Sequence, residues 1–210
     1  MKEVCNKLLS CAFDRLPKSV QDVYLSRPVL IAPVEPAGNG FRLSRPDEFV
    51  RPAPVALTPK LGIKSWREAG GLGVIYEGVA IIAVLNVLLQ NPTEAQTLMA
   101  RAWTRTGTQL NVYLSPYVDF SDISEVRYLA QGGICRRISA CLRDCSTERF
   151  DAQALRLARA AEIVAERMGD GVWIIDLALQ PNDVIRFVEV NPGLTPRKLR
   201  HLRCNQPTAA

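Results

Sequence analysis

The amino-acid sequence predicts an α+β protein. Apolar, β-branched segments come in adjacent pairs, each pair joined by a turn signal: Gln131-Gly132-Gly133 in one and Pro181-Asn182-Asp183 in the other. Between the pairs lies a long helix-forming stretch, AQALRLARAAEIVAERM, at 152–168. The regular strand–helix–strand alternation that builds a parallel sheet is missing, so antiparallel pairing with helices packed on it is expected.

In chain order, residues 1–27 read as one or two short helices broken at Pro17, and 28–34 (PVLIAPV) as a strand edged by prolines. Residues 35–47, with Pro, Gly and Asn, read as a loop, followed by a short strand at Phe49–Arg51 that Pro52 ends. Residues 58–73 read as a basic, glycine-containing connection that holds Lys60 and Lys64. The apolar run Val74–Leu89 reads as a buried strand or helix. Asn91 or Thr93 caps a helix that reaches about Thr104, with Thr106-Gly107-Thr108 as its stop. Strands are expected at 109–114, 126–130 and 134–141. Asp151 then caps the long helix, with Leu155, Ala158, Ile163 and Met168 on its inner face and Gly169 and Gly171 at its end. Two last strands, VWIIDLAL and IRFVEV, precede a basic tail at 197–210.

The chain has 210 residues, 48% hydrophobic and 22% charged, which is enough for a buried core and argues against disorder. The net charge of +5 suits phosphate-bearing ligands as well as nucleic acid. No apolar stretch reaches the ~20 residues of a membrane-spanning helix, and the start shows no export signal. A cytoplasmic protein with reduced thiols is expected. Six cysteines and the single His201 form no C-x-x-C pair and no tight four-ligand group, so zinc is not expected. Gly70-Gly71-Leu72-Gly73 lacks the following Lys-Ser/Thr of a phosphate-binding loop and reads as a turn.

The chemistry concentrates in residues 172–192, VWIIDLALQPNDVIRFVEVNP. Alternate side chains of a strand share a face, so Glu189 and Asn191 lie together. Pairing about the turn at 181–183 sets Asp176 opposite or diagonal to Glu189, ~5 Å apart. Two carboxylates so close, flanked by Ile174, Ile175, Phe187 and Val188, repel unless a cation neutralises them. Mg²⁺ is the hard ion that accepts carboxylate and amide oxygens and also chelates nucleotide phosphates. The alternative is that the acids are exposed or paired with Arg186 and Lys198. Arg127 lies on a strand among apolar residues, where a charge needs a partner or a function.

Asp176 on one strand, with Glu189-Val190-Asn191-Pro192 ending the next, resembles the metal-binding end of ATP-grasp enzymes. Val112–Asp119 and Glu125–Leu129 resemble the hinge strand and the Glu-x-Arg strand of small bacterial and phage ATP-grasp proteins. Phe49-Val50-Arg51-Pro52, with Lys60 and Lys64 following, resembles the segment that carries a basic residue for phosphates. Residues 109–196 match in order and spacing, 48–66 loosely, and the rest little. Arg51 departs from the lysine found in many members.

The resemblance implies two antiparallel-rich sheets with ATP between them. It divides the chain into a short N-terminal region (1–47), an ATP-grasp-like domain (48–196) and the tail (197–210). It implies Mg²⁺ on Asp176, Glu189 and Asn191, nucleotide contacts at Arg51, Lys60, Lys64, Leu114 and Asp119, and Arg127 as the catalytic residue on a γ-phosphate or substrate carboxylate. The implied activity is an ATP-dependent carboxylate–amine ligase, in which a carboxylate becomes an acyl-phosphate and an amine displaces phosphate. The basic tail supports a different reading: a binding module without turnover for a protein partner or nucleic acid.

Overall fold

The structure, a computed structural model, describes residues 2–66, 73–141 and 147–193. The elements run α1 (Lys2–Ser10), α2 (Lys18–Gln21), β1 (Leu30–Ala37), β2 (Gly40–Leu43), β3 (Leu57–Leu61), β4 (Lys64–Ser65), α3 (Ile81–Gln90), α4 (Glu94–Thr106), β5 (Leu110–Pro116), β6 (Ser124–Gln131), β7 (Ile134–Cys141), α5 (Thr147–Met168), β8 (Val172–Leu179) and β9 (Ile185–Pro192). The fold is α+β, with the strands in two antiparallel sheets.

Two compact units form. One holds Met1–Phe13 and Arg27–Tyr117; the other holds Asp14–Ser26 and Val118–Leu194. The N-terminal residues 1–47 therefore contribute to both units.

The first unit is built on a five-stranded sheet ordered β2-β1-β5-β3-β4. Ala32, Val34, Leu57, Leu61, Val112 and Leu114 are buried on one face of it. Helix α3 packs on β2, α4 on β5, and α1 on α4. Thr93, one of the two expected caps, caps α4 in a reciprocal box with Gln96, and Gly107 ends the helix at φ 66°. Three expectations fail in this unit. Residues 35–47 are not a loop: β1 continues to Ala37, and Gly38 at φ 56° turns the chain into β2. Pro33 and Pro36 are both tolerated within the pairing of β1, and Pro36 lies in the part of it expected as a loop. There is no strand at 49–51: Phe49 ends a 3-10 helix, Pro46–Phe49, with Pro46 in its first turn, and Val50 and Arg51 follow it outside any strand. The expected connection at 58–73 contains β3 and β4, so Lys60 and Lys64 are strand residues.

The second unit has a four-stranded sheet ordered β7-β6-β8-β9. The β6–β7 turn falls on Gly132 and Gly133, both at positive φ, as the two-residue hairpin requires. One face of this sheet carries Val126, Tyr128, Ala130, Trp173, Ile175, Leu177, Phe187 and Val190, all buried, and α5 packs on this sheet. The helix begins at Thr147, so Asp151 lies inside it and is not its cap. Starting a turn earlier brings in Phe150. The buried stripe is therefore Phe150, Leu157, Ala161 and Val164, while Leu155, expected inside, is 86% exposed. Arg149 anchors the start of the helix to the β8–β9 turn by donating to Asp183 Oδ1 (2.7 Å) and to the Gln180 carbonyl.

Candidate functional site

Register sets the site. Arg127 on β6 pairs with Asp176 on β8, and Asp176 pairs with Glu189 on β9. In the adjacent row Leu129 pairs with Ile174, and Ile174 with Asn191. Directly opposite residues of antiparallel strands point to the same side. Arg127, Asp176, Glu189 and Asn191 therefore share the face opposite the buried apolar one. The expectation that residues 176 and 189 face each other across a hairpin holds.

Two bulges flank this row. Pairing slips between Arg127 and Tyr128, where Ile138 is the extra residue of β7, and between Asp176 and Leu177, where Val188 is the extra residue of β9. Phe187 and Glu189 are two apart, so an unbroken strand would point them the same way. The Val188 bulge sends the Phe187 ring into the core and Glu189 to the polar face.

The Arg127 guanidinium donates twice to Asp176, Nε to Oδ1 and Nη2 to Oδ2, both at 2.7 Å. The Asp176 side chain is 8% exposed and that of Arg127 46%. The hydrogen bond to Asp176 raises the Arg127 pKa above its ordinary value. Burial works against this, and the charges of Asp176, Glu189 and Glu125 reinforce it. Asn191 Nδ2 donates to Glu189 Oε1 at 2.8 Å, which turns the amide and the carboxylate toward each other.

Mg²⁺ fits this donor set by chemistry, since it consists of two carboxylates and one amide oxygen on one face. Part of the positive charge that the two acids call for comes from Arg127, which flanks Asp176 on the side away from Glu189. A carboxylate has about four lone-pair sites, so the fork of Arg127 does not exhaust the acceptor capacity of Asp176. Among the described residues no group of three or more His, Cys, Asp or Glu gathers as a metal cluster, and the acidic donors here number two.

The other predicted site residues are carried by other elements. Arg51 is exposed, and its carbonyl accepts the Ile81 N–H. Lys60 is half-buried on β3 between Ser65 and Tyr113, and Lys64 pairs with Leu61. Leu114 is fully buried on β5, its carbonyl taking the Val29 N–H. These four belong to the first unit, whereas Asp119 belongs to the second, where its Oδ1 accepts the Ser121 N–H at 2.9 Å. His201 and the basic tail lie outside the described residues. Sequence reasoning missed the Arg127–Asp176 fork and the Val188 bulge. The signal for the first was present, an arginine on an otherwise apolar strand.

A separate cavity of about 690 Å³ opens within the second unit, lined by Cys135, Arg159, Glu162, Glu166 and Trp173 among others. None of the predicted site residues lines it. Burial pushes the Cys135 thiol pKa up, and the charges of Glu162 and Glu166 push it further. Cys11 and Cys135 are in no disulfide, and the Cys11 thiol donates to the Lys7 carbonyl. Among the described residues no helix is long and apolar enough to cross a membrane.

No protein-family model matches the chain, and no curated protein matches it by sequence. Solved structures do. Cdc123 from Schizosaccharomyces pombe superposes with a TM-score of 0.59 at 14% identity, over 92% of this chain and 87% of that one. Its C-terminally truncated form gives 0.58 at 14% identity, over 91% and 86%. An L-amino acid ligase from Bacillus licheniformis gives 0.45 at 12% identity, over 94% of this chain and 46% of the ligase. At 14% identity the likeness to Cdc123 concerns architecture alone: the chain has an ATP-grasp-like α+β fold of two antiparallel sheets with helices.

Proposed function

We propose that this protein binds a magnesium–ATP complex through Asp176, Glu189 and Asn191 and uses it, as a ligase, to join a small carboxylate to an amine. The observation that carries the reading is the polar row Arg127–Asp176–Glu189, with Asn191 beside it, on the face opposite the apolar core. A buried carboxylate fixed by a guanidinium, next to a second carboxylate fixed by an amide, is a pre-oriented oxygen donor set. The ATP-grasp-like fold agrees with it.

Magnesium, when bound, would offset charge on the phosphate oxygens. The chain's own residues do the rest. Arg127 holds the Asp176 carboxylate in place and adds positive charge to the row. Asn191 orients Glu189. Arg51, Lys60, Lys64, Leu114 and Asp119 enter as nucleotide contacts through the family resemblance. In the reaction, a carboxylate oxygen of the substrate attacks the γ-phosphorus and ADP leaves. The amine nitrogen then attacks the acyl carbon, phosphate leaves, and the amine gives up a proton. The reading needs no nucleophilic side chain, and it places the protein in the ATP-rich cytoplasm.

Calorimetric titration with Mg-ATP tests the binding step. Asp176→Ala and Glu189→Ala should each weaken affinity at least about tenfold; unchanged affinity in both overturns the site. Phosphate release on a panel of acids and amines tests turnover separately.

A further inference from the structure

Segment 23–25, upstream of every strand, lies along the outer edge of β9. Leu25 N–H donates to the Phe187 carbonyl at 2.6 Å, and Phe187 N–H donates to the Val23 carbonyl at 3.2 Å. Both main-chain groups of Phe187 are thus engaged by this segment, in a parallel bridge between Tyr24 and Phe187. The Tyr24 ring meets the Phe187 ring edge-on, with centroids 5.0 Å apart and planes at 89°. Phe187 is 2% exposed.

Phe187 is also the residue immediately before the Val188 bulge, and Glu189 is the residue immediately after it. A bulge adds an unpaired residue and weakens the local ladder, so its place along the strand must be fixed by something else. A one-residue slip would turn Glu189 toward the apolar face. Phe187 is held on one side by its pairing with Leu177 and on the other by the 23–25 strap.

We propose that Tyr24, with the strap that carries it, is a positioning residue for the metal site: it pins the Val188 bulge and so fixes the Glu189 carboxylate beside Asp176. The proposal deepens the Mg-ATP reading and rests on it for its consequence in binding, but its geometric content stands without a ligand. Tyr24 touches neither metal nor nucleotide in this scheme and acts through Phe187.

The test uses the full chain with three variants: Tyr24→Ala, Tyr24→Phe and, as a stability control, Val20→Ala, which empties a fully buried position on α2 in the same unit. The side-chain amide resonance of Asn191, which donates to Glu189 Oε1, reports Glu189 without any ligand. Tyr24→Ala should shift or broaden it, while Tyr24→Phe and Val20→Ala should leave it in place. Titration of Mg²⁺ at fixed ATP gives the second readout. Tyr24→Ala should raise the half-saturating Mg²⁺ concentration about tenfold, and Tyr24→Phe should restore it. An unmoved Asn191 amide in Tyr24→Ala, or an equal movement in Val20→Ala, overturns the proposal. If wild-type protein binds no Mg-ATP while the amide still responds to Tyr24 alone, the functional reading fails and the positioning role stands.

Discussion

Arg127 and Asp176, 49 residues apart in sequence, sit directly opposite each other on β6 and β8 and are joined by two parallel hydrogen bonds. Removing the arginine leaves a nearly buried carboxylate without its strongest partner. A fully buried pair broken in this way costs ~3–5 kcal/mol, but Arg127 is almost half exposed and water will recover part of that. Arg127→Met should therefore lower unfolding free energy by about 2 kcal/mol in urea titration, and Arg127→Lys by less. The raised Arg127 pKa fixes the pH behaviour. Its contribution is complete below the ordinary arginine value and is lost only as pH rises through the higher folded one. The Arg127 side of the pair should thus give no pH dependence between about pH 5 and pH 9.

Cys135 should be a slow thiol. Its pKa is raised first by burial and then by Glu162 and Glu166, so less thiolate is present at any given pH. Iodoacetamide at about pH 8, followed by peptide mapping, should label it more slowly than an unfolded control. Replacing Glu162 and Glu166 together by Gln should speed labelling about two- to fivefold, since burial remains the larger cause. A thiol whose folded pKa is raised stabilises the fold below its unfolded value, and the contribution fades as pH climbs above that value. A small drop in thermal midpoint at alkaline pH, absent in Cys135→Ala, is expected.

Gly40 lies where β2 meets α3, and a Cβ built there would come within 2.4 Å of the Leu89 carbonyl oxygen and 3.0 Å of the Gln90 Cα. Both obstacles are backbone, which cannot turn aside. Gly40→Ala should cost about 2–3 kcal/mol by overpacking, measured by thermal or urea unfolding. Gly38→Ala, with open space around it but φ at 56°, should cost about 1 kcal/mol through backbone strain alone.

Thr93 satisfies the first turn of α4 by accepting from Gln96 N–H, while the Gln96 side chain accepts from Thr93 N–H. Thr93→Ala should lose about 1 kcal/mol. Because Gln96 is fully buried, Gln96→Ala should lose at least as much. Neither change should alter the proposed Mg-ATP binding, which separates stability from the proposed site.

The legible parts of the molecule were those written locally. Gly132-Gly133 and Pro181-Asn182-Asp183 mark the two hairpins and so bring the strands of Asp176 and Glu189 side by side, but an unbroken register from Leu179–Ile185 would set Val188 opposite Asp176, and the Val188 bulge is what puts Glu189 there. Thr93 and Gly107 mark both ends of α4. Pro36 hid the far end of β1 and Pro59 hid β3, since each sits inside a pairing where its missing N–H argues against a strand, while the Gly- and Asn-bearing stretch that precedes β2 hid that strand. The inner face of α5 was misread because the stripe depends on Phe150, which precedes the expected start. The partner of Arg127 was invisible for a different reason. An isolated charge on an apolar strand announces that it needs a counterion, but only the order of strands in the sheet, β6 beside β8, says which one.

The strap at residues 23–25 also bears on solubility. A border strand with a bare row of amide and carbonyl groups invites pairing with another molecule. β9 is such a border, and the early part of the chain shields its middle at Phe187. A fragment trimmed of residues 14–26 would present that rim to its neighbours, and self-association of the trimmed protein in sedimentation runs is the outcome to expect.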